Sequence, residues 1–172
     1  NAAEWAAGAM AEVSSEREAT EQRGPIRQRL LPNTGATPTL RCCLLSGGAS
    51  RRMGRDKALL PHPEGGTWLS RSLLLLAQLE APITLLSRWP EHLTLADNLG
   101  IAGLETWAEP SPHEGPLLAL QRLMQRHPQQ QLLLCPVDMP QLTLAALNTL
   151  LAAAAQQPGV PCVAHDGQRC QP

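Results

Sequence analysis

Between Leu45 and Lys57 the chain reads Leu45-Ser46-Gly47-Gly48-Ala49-Ser50-Arg51-Arg52-Met53-Gly54-Arg55-Asp56-Lys57. These are the residue types of a nucleoside triphosphate pocket. Glycines let the backbone approach phosphates, and successive N–H groups point at the anion. Arginine and lysine neutralise phosphate oxygens. Arg52 and Lys57 are therefore candidates for the β- and γ-phosphates and for a departing pyrophosphate, where charge builds up during transfer. The pattern is neither a Walker phosphate loop nor the Gly-x-Gly-x-x-Gly dinucleotide fingerprint. Further along, Cys135-Pro136-Val137-Asp138-Met139-Pro140 puts a carboxylate just after an apolar run. Asp138 is placed to hold Mg²⁺, which takes one or two carboxylates together with phosphate oxygens.

The elements that must position these residues follow from hydrophobic patterning and breakers. Strands are expected at 40–45, 82–86, 101–105 (weakly), 131–135 and 160–164. Helices are expected at 67–79, 116–127 and 143–155, with Pro116 at a helix start and Thr143 as an N-cap. Strands alternating with helices imply an α/β sandwich with a mostly parallel sheet. Ligands of such sheets sit beyond the carboxyl ends of the strands. The loop at 46–57, the loop containing Glu109, and Asp138 all fall there. Residues 1–38 differ in kind: an Ala- and Glu-rich stretch precedes Gly24-Pro25, Pro32-Asn33-Thr34-Gly35 and Pro38. They read as an extension or linker, disordered or partly helical, leaving 39–172 as the domain.

The stretch Leu44–Leu60 closely resembles the signature of the molybdenum cofactor guanylyltransferases, the MobA-like nucleotidyltransferases. Ser46 departs mildly, standing where that family usually has alanine. Glu109, followed six positions on by Gly115-Pro116-Leu117, resembles the family's acidic residue and Gly-Pro-Leu. Asp138 with Pro140 resembles its strand-end Asp-x-Pro, and His165-Asp166-Gly167-Gln168 its late His-Asp-Gly. The resemblance covers about residues 40–172. It implies a Rossmann-like three-layer α/β sandwich with a mostly parallel, mixed sheet. It also implies transfer of GMP from GTP to the terminal phosphate of molybdenum–molybdopterin. Leu45, Ser46, Gly47, Gly48, Lys57, Glu109 and Asp138 would bind nucleotide, Arg52, Lys57 and Asp138 would be catalytic, and Asp138 would hold Mg²⁺. Other cofactor-biosynthesis proteins and acceptor molybdoenzymes are the implied partners. Glu109 stands where the family carries aspartate, and the position of the family's nucleotide-binding asparagine falls on Leu85. The alternatives are a cytidylyltransferase on the same cofactor, disfavoured by Gly47-Gly48 and Asp56-Lys57, and a nucleotide-binding or docking protein without turnover.

Composition narrows the rest. With 172 residues and a formal charge of −1, the chain suits one core, and bulk charge gives no reason to expect nucleic acid or a membrane surface. Apolar runs such as Leu73–Ala77 are too short to cross a bilayer, and no secretory signal is evident. Five cysteines without CxxC spacing argue against a zinc site, and Cys42 and Cys135, in expected buried strands, read as apolar filler in a reducing cytoplasm. The five histidines lack ligand spacing and read as surface or loop residues. Trp68, Trp89 and Trp107 read as packing. Without Phe or Tyr, the core must be built from Leu, Ala, Val and Trp. The chain starts at Asn1 without methionine and stops at Pro172, so the C-terminal part of the family domain is expected to be missing.

Overall fold

A computed structural model of the chain describes residues 38–48, 56–110, 115–165 and 170–171. The expected extension up to residue 37, Arg52, and Asp166 to Gln168 lie outside the described residues. The chain divides into two compact units, one of residues 38–140 and one whose described part begins at 141.

The first unit is built on a four-stranded sheet in the order β3-β2-β1-β4, formed by β1 (Thr39–Leu45), β2 (Ile83–Ser87), β3 (Leu104–Ala108) and β4 (Gln130–Pro136). All three pairings are parallel, with Cys42 opposite Ile83, Leu45 opposite Pro136 and Ile83 opposite Leu104. Among the described residues the main sheet is thus purely parallel. The expected antiparallel component is confined to a separate hairpin. β2 is buried at every position, as expected of a parallel strand covered on both faces.

One sheet face carries Cys43, Leu45, Leu86, Trp107, Leu132 and Leu134, packed against Ala119 and Leu123 of α3 (Gly115–Arg126). The opposite face, with Cys42, Leu44, Ile83 and Leu85, meets α1 (Trp68–Ala77), and α2 (Pro90–Asn98) lies along β2 and β3. Helices on both faces give the three layers. Leu69, Leu73 and Leu76 fall on one stripe of α1 and are fully buried, each contributing about 1.5–3 kcal/mol of transfer free energy. A capping box starts α1: Thr67 Oγ1 accepts from the Ser70 N–H at 3.1 Å, and Ser70 Oγ accepts from the Thr67 N–H at 2.9 Å.

Two expectations need correction. No helix was expected between 86 and 101, yet α2 spans Pro90–Asn98. Only His92 and Ala96 of its nine residues are fully buried, so its apolar stripe is too thin to read; Pro90 at its first turn was the available signal. β3 begins at Leu104 rather than 101, because Gly103 turns the chain at φ +74° and the strand itself is Leu-Glu-Thr-Trp-Ala.

In the second unit, α4 (Leu144–Gln156) is capped by Thr143, whose Oγ1 accepts from the Ala146 N–H at 3.2 Å. The expected strand at 160–164 is instead a two-residue β5 (Ala164–His165) paired antiparallel with β6 (Cys170–Gln171). Among the described residues no helix is long and apolar enough to cross a membrane.

Candidate active site

The strand order reverses at β1: the chain runs from β1 outward through β2 to β3, then returns to β4 on the other side. The crevice beyond the carboxyl ends of β1 and β4 is thus the topological switch point, where parallel sheets bind ligands. The loop after β1 is held there by backbone bonds that extend the sheet. The Ser46 N–H donates to the Leu86 carbonyl at 3.0 Å, and the Val137 N–H donates to the Leu45 carbonyl at 3.1 Å. The Glu109 N–H likewise donates to the Ser87 carbonyl at 2.8 Å. Ser46-Gly47-Gly48, Glu109 and Asp138 are thereby drawn to one edge of the sheet.

Glu109 turns its carboxylate onto the glycine loop. A Cβ on Gly47 would stand 2.5 Å from Glu109 Oε2, so the absence of a side chain lets the acid and the loop backbone meet. Gly48 is exposed, and among the described residues a Cβ there would meet nothing within 4 Å. Lys57 is exposed and opens a short 3-10 turn, Lys57–Leu59, capped by Asp56, whose Oδ1 accepts from the Ala58 N–H at 3.0 Å. Asp138 is exposed on the turn after β4. Among the described residues no group of three or more His, Cys, Asp or Glu could hold a metal ion. A single strand-end carboxylate still fits Mg²⁺, which keeps several waters and takes its remaining ligands from phosphates.

The sequence reading misses the best-connected residue of this edge. His92, expected at the surface or in a loop, is 1 % exposed, as is appropriate only for a satisfied imidazole. Its Nδ1 lies 2.8 Å from Ser46 Oγ, 3.0 Å from Ser87 Oγ and 3.1 Å from the Ser46 carbonyl. Its Nε2 lies 2.5 Å from Asp56 Oδ2. One proton assignment satisfies every group: the Trp89 N–H donates to Ser87 Oγ, Ser87 Oγ–H to the Ser46 carbonyl, Ser46 Oγ–H to His92 Nδ1, and His92 Nε2–H to Asp56. The signal in the sequence was Ser46 itself, a hydroxyl where an alanine was expected.

Other positions fall out differently. Leu85 is fully buried within β2, so it cannot serve as a strand-end nucleotide contact; Ser87 occupies that end. Trp89 is 36 % exposed, with the Arg88 guanidinium 4.6 Å from its ring centroid. Arg52, Ser50 and His113 lie outside the described residues.

Comparison with known proteins shows the family. The MobA-like NTP transferase domain matches residues 42–172. A protein of Rhodopirellula baltica named "Probable molybdenum cofactor guanylyltransferase" is 33 % identical over 144 residues, covering 80 % of this chain and 67 % of that protein. A Xanthomonas euvesicatoria pv. vesicatoria protein named "Molybdenum cofactor guanylyltransferase" is 36 % identical over 127 residues, covering 73 % of this chain and 58 % of that protein. The chain thus spans about three fifths to two thirds of these relatives' lengths. The crystal structure of Rv0371c from Mycobacterium tuberculosis H37Rv shares the fold, with a TM-score of 0.54 at 23 % identity over 70 % of this chain and 63 % of that one. The glycine loop, Glu109 and Asp138 all lie within the matched residues, and the chain belongs to the MobA-like NTP transferase domain family.

Proposed function

We propose that this chain is a molybdenum cofactor guanylyltransferase: it transfers GMP from GTP to the terminal phosphate of molybdenum–molybdopterin, forming the guanine dinucleotide cofactor and releasing pyrophosphate. The observation that carries this reading is the close approach of the Glu109 carboxylate to Gly47 of the glycine loop at the switch point. Lys57 and Asp138 flank that edge on exposed turns. The names of the relatives at 33 % and 36 % identity support the choice of substrates.

In this reading, an oxygen of the molybdopterin phosphate forms a bond to the α-phosphorus of GTP. The bond from that phosphorus to the bridging oxygen of the β-phosphate breaks, and pyrophosphate takes the electron pair. A phosphate monoester is already anionic near neutral pH, so the attack needs no general base. Catalysis reduces to positioning and charge neutralisation. The Leu45–Gly48 backbone, that of Ser46 included, lies along the triphosphate and, with Glu109, sets the nucleotide. Lys57 and Arg52 meet charge growing on the leaving group. Asp138 would hold Mg²⁺, which would offset the negative charge of the phosphates.

The test is pyrophosphate release by the protein with Mg²⁺ and molybdopterin, offering GTP and CTP separately. Release with GTP alone is expected. Release with CTP overturns the choice of base, and a folded protein that binds GTP but releases nothing is a binder rather than a catalyst.

A further inference from the structure

We infer that His92 is a positioning residue of the triphosphate site: it clamps the glycine loop to the Asp56-Lys57 turn, and so sets where Lys57 stands relative to the Gly47-Gly48 backbone. The inference rests on reading the Leu45–Gly48 loop and Lys57 as that site.

Three segments meet at this imidazole. Ser46 comes from the loop after β1, Ser87 from the end of β2, and Asp56 from the turn that presents Lys57. Ser46 and His92 are 3 % and 1 % exposed, while the Asp56 side chain is 34 % exposed. The clamp is therefore anchored in the interior and reaches outward to the turn. Asp56 uses both oxygens: Oδ2 faces His92, and Oδ1 accepts from the Ala58 N–H. Fixing the carboxylate thus fixes the first backbone amide after Lys57. A lysine on a four-carbon stem gains precision only through its backbone anchor, since its side chain is rotamer-rich. Supporting shells of this kind hold charged groups within the small tolerance that transition-state stabilisation requires.

The same atoms spell serine, histidine and aspartate in hydrogen-bonded sequence, but they do not form a nucleophile. Ser46 is closed off from solvent, and Ser87 Oγ and the Ser46 carbonyl crowd the same Nδ1 at 3.0 and 3.1 Å, leaving no room for a substrate beside it. No acyl substrate reaches the hydroxyl. The hydroxyl of Ser46 acts instead by orienting the ring.

The test compares His92→Ala, His92→Gln, Lys57→Ala and the His92→Ala/Lys57→Ala double variant in the full chain. It uses GTP-dependent pyrophosphate release and hydrogen exchange at the Ala58 amide. His92→Ala is expected to lower kcat/KM for GTP about 10- to 100-fold and to speed exchange at Ala58. His92→Gln, whose amide can still donate toward Asp56, recovers part of the loss. In the Lys57→Ala background, His92→Ala costs little more, because its effect runs through that side chain. Multiplying losses in the double variant, or an unchanged Ala58 amide, overturn the positioning role and leave a structural one. If His92→Ala does not fold, Ser46→Ala, which removes only the hydroxyl on Nδ1, should show a smaller loss of the same pattern; its absence also overturns the role. A parent protein without turnover refutes the guanylyltransferase reading. The Ala58 amide then decides the clamp alone: faster exchange in His92→Gln or Ser46→Ala supports it, and unchanged exchange overturns it.

Discussion

Oε2 of Glu109 occupies space that a methyl group on Gly47 would need, at 2.5 Å from the position of its Cβ. The obstructing atom is the far end of a flexible side chain, so Gly47→Ala can be accommodated by swinging the carboxylate aside. We expect its stability to change by less than about 1 kcal/mol, whereas GTP turnover falls about 100-fold because the Glu109 carboxylate is displaced from the loop that sets the nucleotide. Thermal melts and pyrophosphate assays on one preparation separate the two effects. A large drop in Tm would show that the glycine serves the fold rather than the ligand.

Asp138 gives a complementary case. It is exposed on the turn after β4, so Asp138→Asn should leave stability within about 0.5 kcal/mol. If the carboxylate holds Mg²⁺, turnover at fixed Mg²⁺ falls by about 100-fold or more. The Mg²⁺ concentration for half-maximal rate should also rise. An unchanged Mg²⁺ dependence would remove Asp138 from the metal site.

Lys57 is the only lysine in the sequence, which makes its position directly testable. An amine-reactive acylating reagent can modify only Lys57 and the chain's terminal amine. GTP with Mg²⁺ should protect Lys57 at saturation while leaving the terminal amine reactive, with peptide mapping as the readout. Equal labelling of Lys57 with and without nucleotide would place it away from the phosphates.

The sequence carried the parts of this architecture that depend on local pattern. β1, α1, β2, α3, β4 and α4 were legible because apolar runs, capping threonines and Pro116 mark them locally, and because buried parallel strands are nearly all apolar. α2 was not legible, since a helix that buries only His92 and Ala96 shows no clear period. The glycine loop, Glu109 and Asp138 could be placed at the sheet edge from topology alone. What the sequence could not show is the link from Ser46 to Asp56. It passes through a residue on a different helix, and nothing local distinguishes a buried, fully bonded His92 from a solvated one. Leu85, onto which the family's asparagine position aligns loosely, is buried inside β2, whose observed end at Ser87 lies one residue beyond the expected one.

Thr67 ties stability to the helix behind the site. Its hydroxyl accepts from the Ser70 N–H, and Ser70 returns a bond to the Thr67 N–H. Thr67→Ala removes one side of this capping box and should cost about 1 kcal/mol, read as a lower urea midpoint with unchanged slope. Thr67→Ser should recover most of it. An unaltered midpoint for Thr67→Ala would mean that α1 is held by Leu69, Leu73 and Leu76 alone.

Alkaline pH probes the core behind the glycine loop. Burial pushes the Cys42 thiol up to about 11 and those of Cys43 and Cys135 to about 12, from an ordinary value of 9.0, with Arg41 lowering the first two only in part. The unfolded chain therefore releases these protons first. Stability is fully present below pH 9 and is lost as pH rises toward 11 to 12. Each thiol contributes a slope of about 1.4 kcal/mol per pH unit in that window. The chain has no tyrosine and a single lysine, so few other groups titrate there. Urea midpoints should be flat between pH 7 and 8.5 and fall steeply by pH 10.5. Cys135→Ala should make that fall shallower whatever it does to stability at pH 7. A stability that holds level through pH 10.5 would mean that solvent reaches these thiols in the native state.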